Sequence, residues 1–388
     1  MRCRFASIHD KADQTAFAQF DTRAARFFRG LHQIHDFDLL EADLALVDDG
    51  FEFVGAVRQG SELTLNVRSE APVRPRLERF AGLCPAGVSV VTERGPRPFE
   101  RVRNEVRSVT GHELSNARVR AGITRGHLLD VVVYLTGSAG SSDIHAGHAA
   151  ELAVEGCLGE RVVDDWVSSI TSAPLPRSGP TQLRLVQHND ELAKTFDLID
   201  LPKAVERAVQ GVHEALPAEP LHAAAPRGDW IMLETESGEG HAGDGEGRAA
   251  AQADLLLAST FLPEMLKCFL QGSPFSSVRF SGHGERFAYL KYHATGGLRE
   301  KVSARQRLED ALDAGLREHA LGAVVGNGVG HGHCYVDLAL GDIDRALAEL
   351  TEIARRAGVP RESWILFCDS EWQREWVGVW PHTPPPFE

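Results

Sequence analysis

Residues 334–368 constrain the fold more than any other stretch. Cys334-Tyr335-Val336-Asp337-Leu338-Ala339-Leu340 reads as a strand, and Asp342 then caps a helix. In that helix Ile343, Ala346, Leu347, Leu350, Ile353 and Ala354 form one apolar stripe, and Gly358 and Pro360 stop it. Trp364-Ile365-Leu366-Phe367-Cys368 follows, apolar throughout, as expected of a strand buried on both faces. A strand–helix–strand unit of this kind sets its strands parallel with a right-handed crossover.

Similar units recur upstream. Leu128–Leu135 is a strand followed by a Gly/Ser turn and a helix from about Ser142 to Leu158. Trp230–Glu234 is a strand leading to an apolar helix around Ala253–Leu270, which Pro263 kinks or restarts. Ser277–Ser281 and Arg286–Tyr292 read as two antiparallel strands joined by Gly282-His283-Gly284-Glu285, and Ser303–His319 as a helix. In the N-terminal part, Ala24–His32 and Leu77–Leu83 read as helices, Glu62–Val67 and Val88–Val91 as strands. Hairpin-linked and crossover-linked strands together give an α+β fold with mixed sheets, in which repeated β-α-β and β-hairpin units suit tandem ferredoxin-like modules.

A chain of 388 residues exceeds what one hydrophobic core usually fills. The Pro/Ala-rich stretch after the helix at Pro202–Leu216 is the expected boundary, giving an N-terminal α+β domain over 1–220 and a C-terminal one over 228–388. The Gly- and acid-rich segment 236–247 is expected to be a mobile loop, and the Pro-rich tail 381–386 to be extended.

The formal charge of −14 argues against a nucleic-acid partner, because phosphate binding needs a basic surface. The N-terminus lacks a secretory pattern, and no uninterrupted apolar stretch is long enough for a bilayer. Six cysteines, far apart and without a C-x-x-C pair, read as reduced core thiols. A soluble cytoplasmic protein with no membrane partner is the expectation.

Four places hold residues suited to chemistry. In Gly326-Asn327-Gly328-Val329-Gly330-His331-Gly332-His333-Cys334 the glycines alternate, and the segment runs into a strand, so it is no dinucleotide or phosphate loop. It reads either as a glycine-lined strand that another element approaches closely, or as a strand presenting His331 and His333 to one divalent metal ion, with Asp337 on the same face. Asp143-x-His145-x-x-His148-x-x-Glu151 reads as a solvated helix face. Gly282-His283-Gly284-Glu285-Arg286 reads as a turn. Trp372, Trp376 and Trp380 suit a strand closing a sheet and, if uncovered, an interface.

These observations give two functional expectations. The first is a non-catalytic binding or accessory protein, needing no cofactor, that engages a protein partner in a cytoplasmic assembly through the Trp-rich end. The alternative is a metal-assisted hydrolase in which His331 and His333 hold the ion, Asp337 or a distant carboxylate completes the shell, and a carboxylate such as Glu285 activates bound water.

Overall fold

A computed structural model describes residues 11–34, 36–69, 73–92, 95–136, 144–175, 195–224, 230–234, 254–373 and 375–386. The expected mobile loop at 236–247 and Asp143 lie outside the described residues. The fold is α+β, and the chain divides into two units. Residues 1–92 group with 216–388, and residues 93–215 form the second unit.

The N-terminal stretch supplies α1 (Lys11–Gly30), α2 (Phe37–Ala45), β1 (Phe51–Gln59), β2 (Glu62–Ser69), α3 (Arg74–Gly82) and β3 (Val88–Val91). β1 pairs antiparallel and β3 parallel with β2, making a three-stranded sheet. Alternation along β2 sends Leu63, Leu65 and Val67 inward against Phe20, Phe27, Phe28 and Phe80. Phe28 and Phe80 stack with ring centres 4.7 Å apart.

The second unit contains α4 (Phe99–Thr110), β4 (Arg118–Ile123), β5 (Leu129–Leu135), α5 (Ile144–Leu158), α6 (Glu160–Trp166), β6 (Val167–Pro174), β7 (Phe196–Asp197) and α7 (Leu201–Ala215). Its sheet runs β6-β5-β4-β7, and β5 and β6 lie parallel because α5 and α6 carry the chain back between them. Ala146, Ala149, Ala150 and Ala153 are fully buried. Gly156 on the same helix leaves Val102 of α4 no room for a Cβ, which would lie 2.8 Å from Val102 Cγ2. Cys157 is buried there, and desolvation pushes its thiol up to about 11.

From residue 216 onward the chain forms β8 (Ile231–Glu234), β9 (Leu255–Thr260), α8 (Pro263–Gln271), β10 (Arg286–His293), α9 (Leu298–Glu318), β11 (Gly322–Gly330), β12 (His333–Leu340), α10 (Ile343–Arg356), β13 (Ser363–Phe367) and β14 (Trp376–Gly378). These strands build a seven-stranded sheet ordered β14-β13-β10-β12-β11-β9-β8. β10 lies antiparallel between β12 and β13, so the strand–helix–strand unit around α10 does have parallel strands, with β10 inserted between them. Asp342 caps α10 by accepting from the Arg345 N–H.

One face of this sheet packs against α9 and α10. Leu290, Val336, Leu338 and Ile365 meet Leu308, Leu312, Leu316, Leu347 and Leu350 in the largest core. The other face carries Tyr289, Lys291, His293, His333, Tyr335, Asp337, Trp364 and Leu366, the alternate residues of the same strands. Two expectations change here. Residues 255–260 are strand rather than helix, since a short apolar run serves either state and here it pairs with β8 and β11. Pro263 begins α8. Ser277–Arg279 is a 3-10 turn rather than a strand, because Asp369 accepts from both the Ser277 N–H at 2.6 Å and its hydroxyl at 2.5 Å.

Candidate functional site

Gly328 lines a cavity on the second face of the sheet, and Gly326 lies two residues before it. They sit opposite Tyr335 and Asp337, respectively, in the β11–β12 register, and without side chains they let Asp337 and Leu255 approach closely. A Cβ on Gly326 would lie 2.5 Å from Asp337 Oδ2, and one on Gly328 would lie 2.8 Å from Leu255 Cδ1. The cavity above them is about 70 Å³ and is walled by Leu255, Ala258, Tyr289 and Tyr335. Met265 and Leu266 of α8, together with Phe269 and Phe275, cover it. A water needs roughly 10–15 Å³ measured in this way, so the space holds several waters or a small organic group.

Asp337 is the exceptional residue of this wall. Its carboxyl makes no hydrogen bond among the described residues, and its neighbours in the cavity are mainly apolar. Desolvation raises its carboxyl from the usual range to about 7; Glu309 adds to the rise and Arg305 offsets part of it. Behind the floor, on the helix side, lies a polar group centred on Asn327, in which Arg305 and Glu309 also approach each other at 3.6 Å. Asn327 accepts from the Ser259 hydroxyl at 2.8 Å and from Arg305, and donates to Glu309 at 3.2 Å.

At the open end of the same face, Asp254 anchors the β11–β12 turn. Its carboxylate accepts from the Gly332 N–H and the Tyr335 hydroxyl, both at 2.7 Å, and lies 3.4 Å from His333 Nδ1. Its main-chain carbonyl accepts from the His331 N–H at 2.8 Å. Burial alone would raise the Asp254 carboxyl, yet His333, Tyr335 and the Gly332 N–H together hold it far below the usual carboxylate range. Lys291, the register partner of Tyr335, is half-buried with its Nζ 5.9 Å from the Trp364 ring centre.

The residues singled out in the sequence fall as follows. His331 is exposed in the turn, outside both strands, because β11 ends at Gly330 and β12 starts at His333. The structure therefore brings His333 to Asp254 and His293, not to His331. Asp337 lies two pleats along β12 from His333, in the cavity wall. Among the described residues no group of three or more His, Cys, Asp or Glu is arranged to hold a metal ion. Glu285 is buried and committed: it accepts from the Leu221 N–H and the Ser281 hydroxyl, each at 2.6 Å. His148 and Glu151 lie on an exposed helix face, 3.9 Å apart. Trp372 and Trp376 are buried at 3% and 6% exposure, Trp372 against Phe367 and Trp376 beside Trp364. Trp380 is half-buried, its indole N–H donating to the carbonyls of Val359 and Pro360.

Asp254, Lys291 and Asn327 escaped the sequence reading as site residues. Lys291 carried a signal, being a lone cation on an otherwise aromatic and apolar strand, Phe287–Tyr292. Asp254 carried none, because only the pairing of β9 with β11 brings it to the turn. Compared with family models, with curated proteins and with solved structures, the chain matches none. No described helix is long and apolar enough to cross a membrane.

Proposed function

We propose that this chain is a binding protein for a small organic molecule, held in the cavity between the β9–β12 sheet face and α8. One observation carries the reading: the Asp337 carboxyl stands in a mainly apolar wall without a hydrogen-bond partner among the described residues. Buried polar groups in folded proteins are nearly always satisfied, so a lone one facing a cavity points to a group that enters it. Apolar lining with a few placed polar groups is the usual make-up of a ligand pocket. With its carboxyl raised to about 7, Asp337 is an O–H donor in mildly acidic solution, suited to a carbonyl or ether oxygen on the ligand.

The reading keeps the non-catalytic role expected from the sequence and changes the partner. Burial of Trp372 and Trp376 speaks for a small molecule over a protein docked on those residues. The run β10-α9-β11-β12-α10-β13, with its strands ordered β13-β10-β12-β11, supports reading this part as the ferredoxin-like unit expected from the sequence. On this reading that unit provides the rigid floor, and β9 and α8 add the roof.

The test is calorimetric titration at pH 6 with acetophenone and with its isostere α-methylstyrene, in which a methylene replaces the carbonyl oxygen. The ketone should bind about ten-fold tighter, the worth of one hydrogen bond of roughly 1.5 kcal/mol. Asp337→Leu should erase the preference. Failure of both probes to bind, or equal binding insensitive to Asp337, would overturn the reading.

A further inference from the structure

We propose that the natural ligand is an organic anion, a carboxylate on an apolar body, whose charged end is bound by Lys291. This rests on the cavity reading above and names the chemical class of its occupant. Lys291 and Tyr335 are directly paired across β10 and β12, and both project from the face that bears the cavity. Lys291 is not itself in the cavity wall, but Tyr335, its register partner, and Tyr289, two residues before it on the same face, both are.

The ammonium is half-buried and has neither a hydrogen bond nor a carboxylate within ion-pair distance among the described residues. Its close neighbour is the Trp364 ring, which attracts a cation without neutralising it. Asp254, the acid that it feels, is already held by Gly332, Tyr335 and His333. A half-buried cation short of a partner is costly unless an anion completes it. Desolvation lowers the Lys291 pKa in the free protein, in line with a site that awaits a counter-charge. A carboxylate with a flat apolar body therefore meets both needs of this face: tyrosine and phenylalanine walls for the body, and Lys291 for the charge.

The experiment compares 3-phenylpropanoate with the neutral 3-phenylpropanamide by titration of the full chain at low ionic strength. The acid should bind about ten-fold tighter, a preference that shrinks as sodium chloride is added. Lys291→Met, which keeps the stem, should lower the acid to the affinity of the amide and leave the amide unchanged, whereas Lys291→Arg should retain the preference. Equal binding of acid and amide, in wild type and both variants, overturns the anion assignment while the cavity stands. Binding of neither probe overturns the cavity reading and the anion assignment with it. Should Lys291→Met fail to fold, the salt dependence and Lys291→Arg decide alone: a preference insensitive to salt and lost in the arginine variant rejects the role of charge.

Discussion

Gly326 and Asp337 face each other across β11 and β12, so close that a methyl group on the glycine would come within 2.5 Å of the carboxylate. The position of the unpaired acid thus depends on the missing side chain opposite. The same added Cβ would also lie 3.1 Å from the Ser259 carbonyl, which is backbone and yields less easily than a side chain.

Gly326→Ala should therefore destabilise the protein by about 1–3 kcal/mol and abolish the ketone preference, because Asp337 must swing away. Gly282→Ala, where the new Cβ meets nothing within 4 Å, should stay within about 0.5 kcal/mol of wild type. Urea denaturation of both variants checks the pair, and equal effects would refute the role given to Gly326.

Asp337 gives the stability curve a sign. Its folded pKa is raised to about 7 against roughly 3.9 unfolded, so between those values the native state holds the extra proton. Its contribution is full below about pH 4 and is lost as pH rises to about 7. Asp337→Asn should match wild type near pH 4 and exceed it at pH 8.5 by a few kcal/mol. Unfolding midpoints that run parallel from pH 4 to 8.5 would contradict the raised pKa.

Asp254 has the opposite sign. Its carboxyl is held below the unfolded value, so its contribution is present at neutral pH and is lost as pH falls below about 4. Asp254→Asn should cost about 2–3 kcal/mol at pH 7, from weakened bonds to Gly332 and Tyr335. The difference from wild type should narrow below pH 3, and a gap that stays constant with pH would argue against an ionised Asp254.

Behind the cavity floor, Asn327 joins Ser259, Arg305 and Glu309 in one buried group. Asn327→Leu would remove the hydrogen bonds that Arg305 and Glu309 make to the amide while their ion pair at 3.6 Å remains, at a cost of about 1–3 kcal/mol. Glu309→Gln should cost less, since burial already raises the Glu309 carboxyl toward its neutral form. The thermal midpoints of the two variants should fall in that order.

Local sequence patterns located much of this architecture. The period of 3.6 in Ile343–Ala354, with Asp342 as cap and Gly358–Pro360 as stop, matches α10, and Val88–Val91 is β3 residue for residue. The cavity was half legible. Alternating glycines from Gly326 to Gly330 signalled close approach, and Asp337 was singled out, though as a metal ligand on the face of His331 and His333. What approaches those glycines depends on the pairing of β9 with β11, a contact between residues about 70 positions apart that no local pattern encodes. His331 and His333 read as one strand because the turn between β11 and β12 is held by Asp254, a distant residue, and not by its own turn chemistry. The Trp-rich end left open whether its rings were covered, since a sheet's last strand looks the same in sequence whether its face is packed or bare.

The distribution of thiols places a buried cysteine in each of the two units. Cys157 is the one cysteine in residues 93–215, and it is buried with its thiol held in the neutral form; Cys268 and Cys334 are fully buried in the other unit. A thiol sealed in this way reacts with an alkylating reagent only when the structure around it opens. Peptide-resolved labelling over time would then read the opening rate of each unit in a single tube, without a probe, tag or substitution.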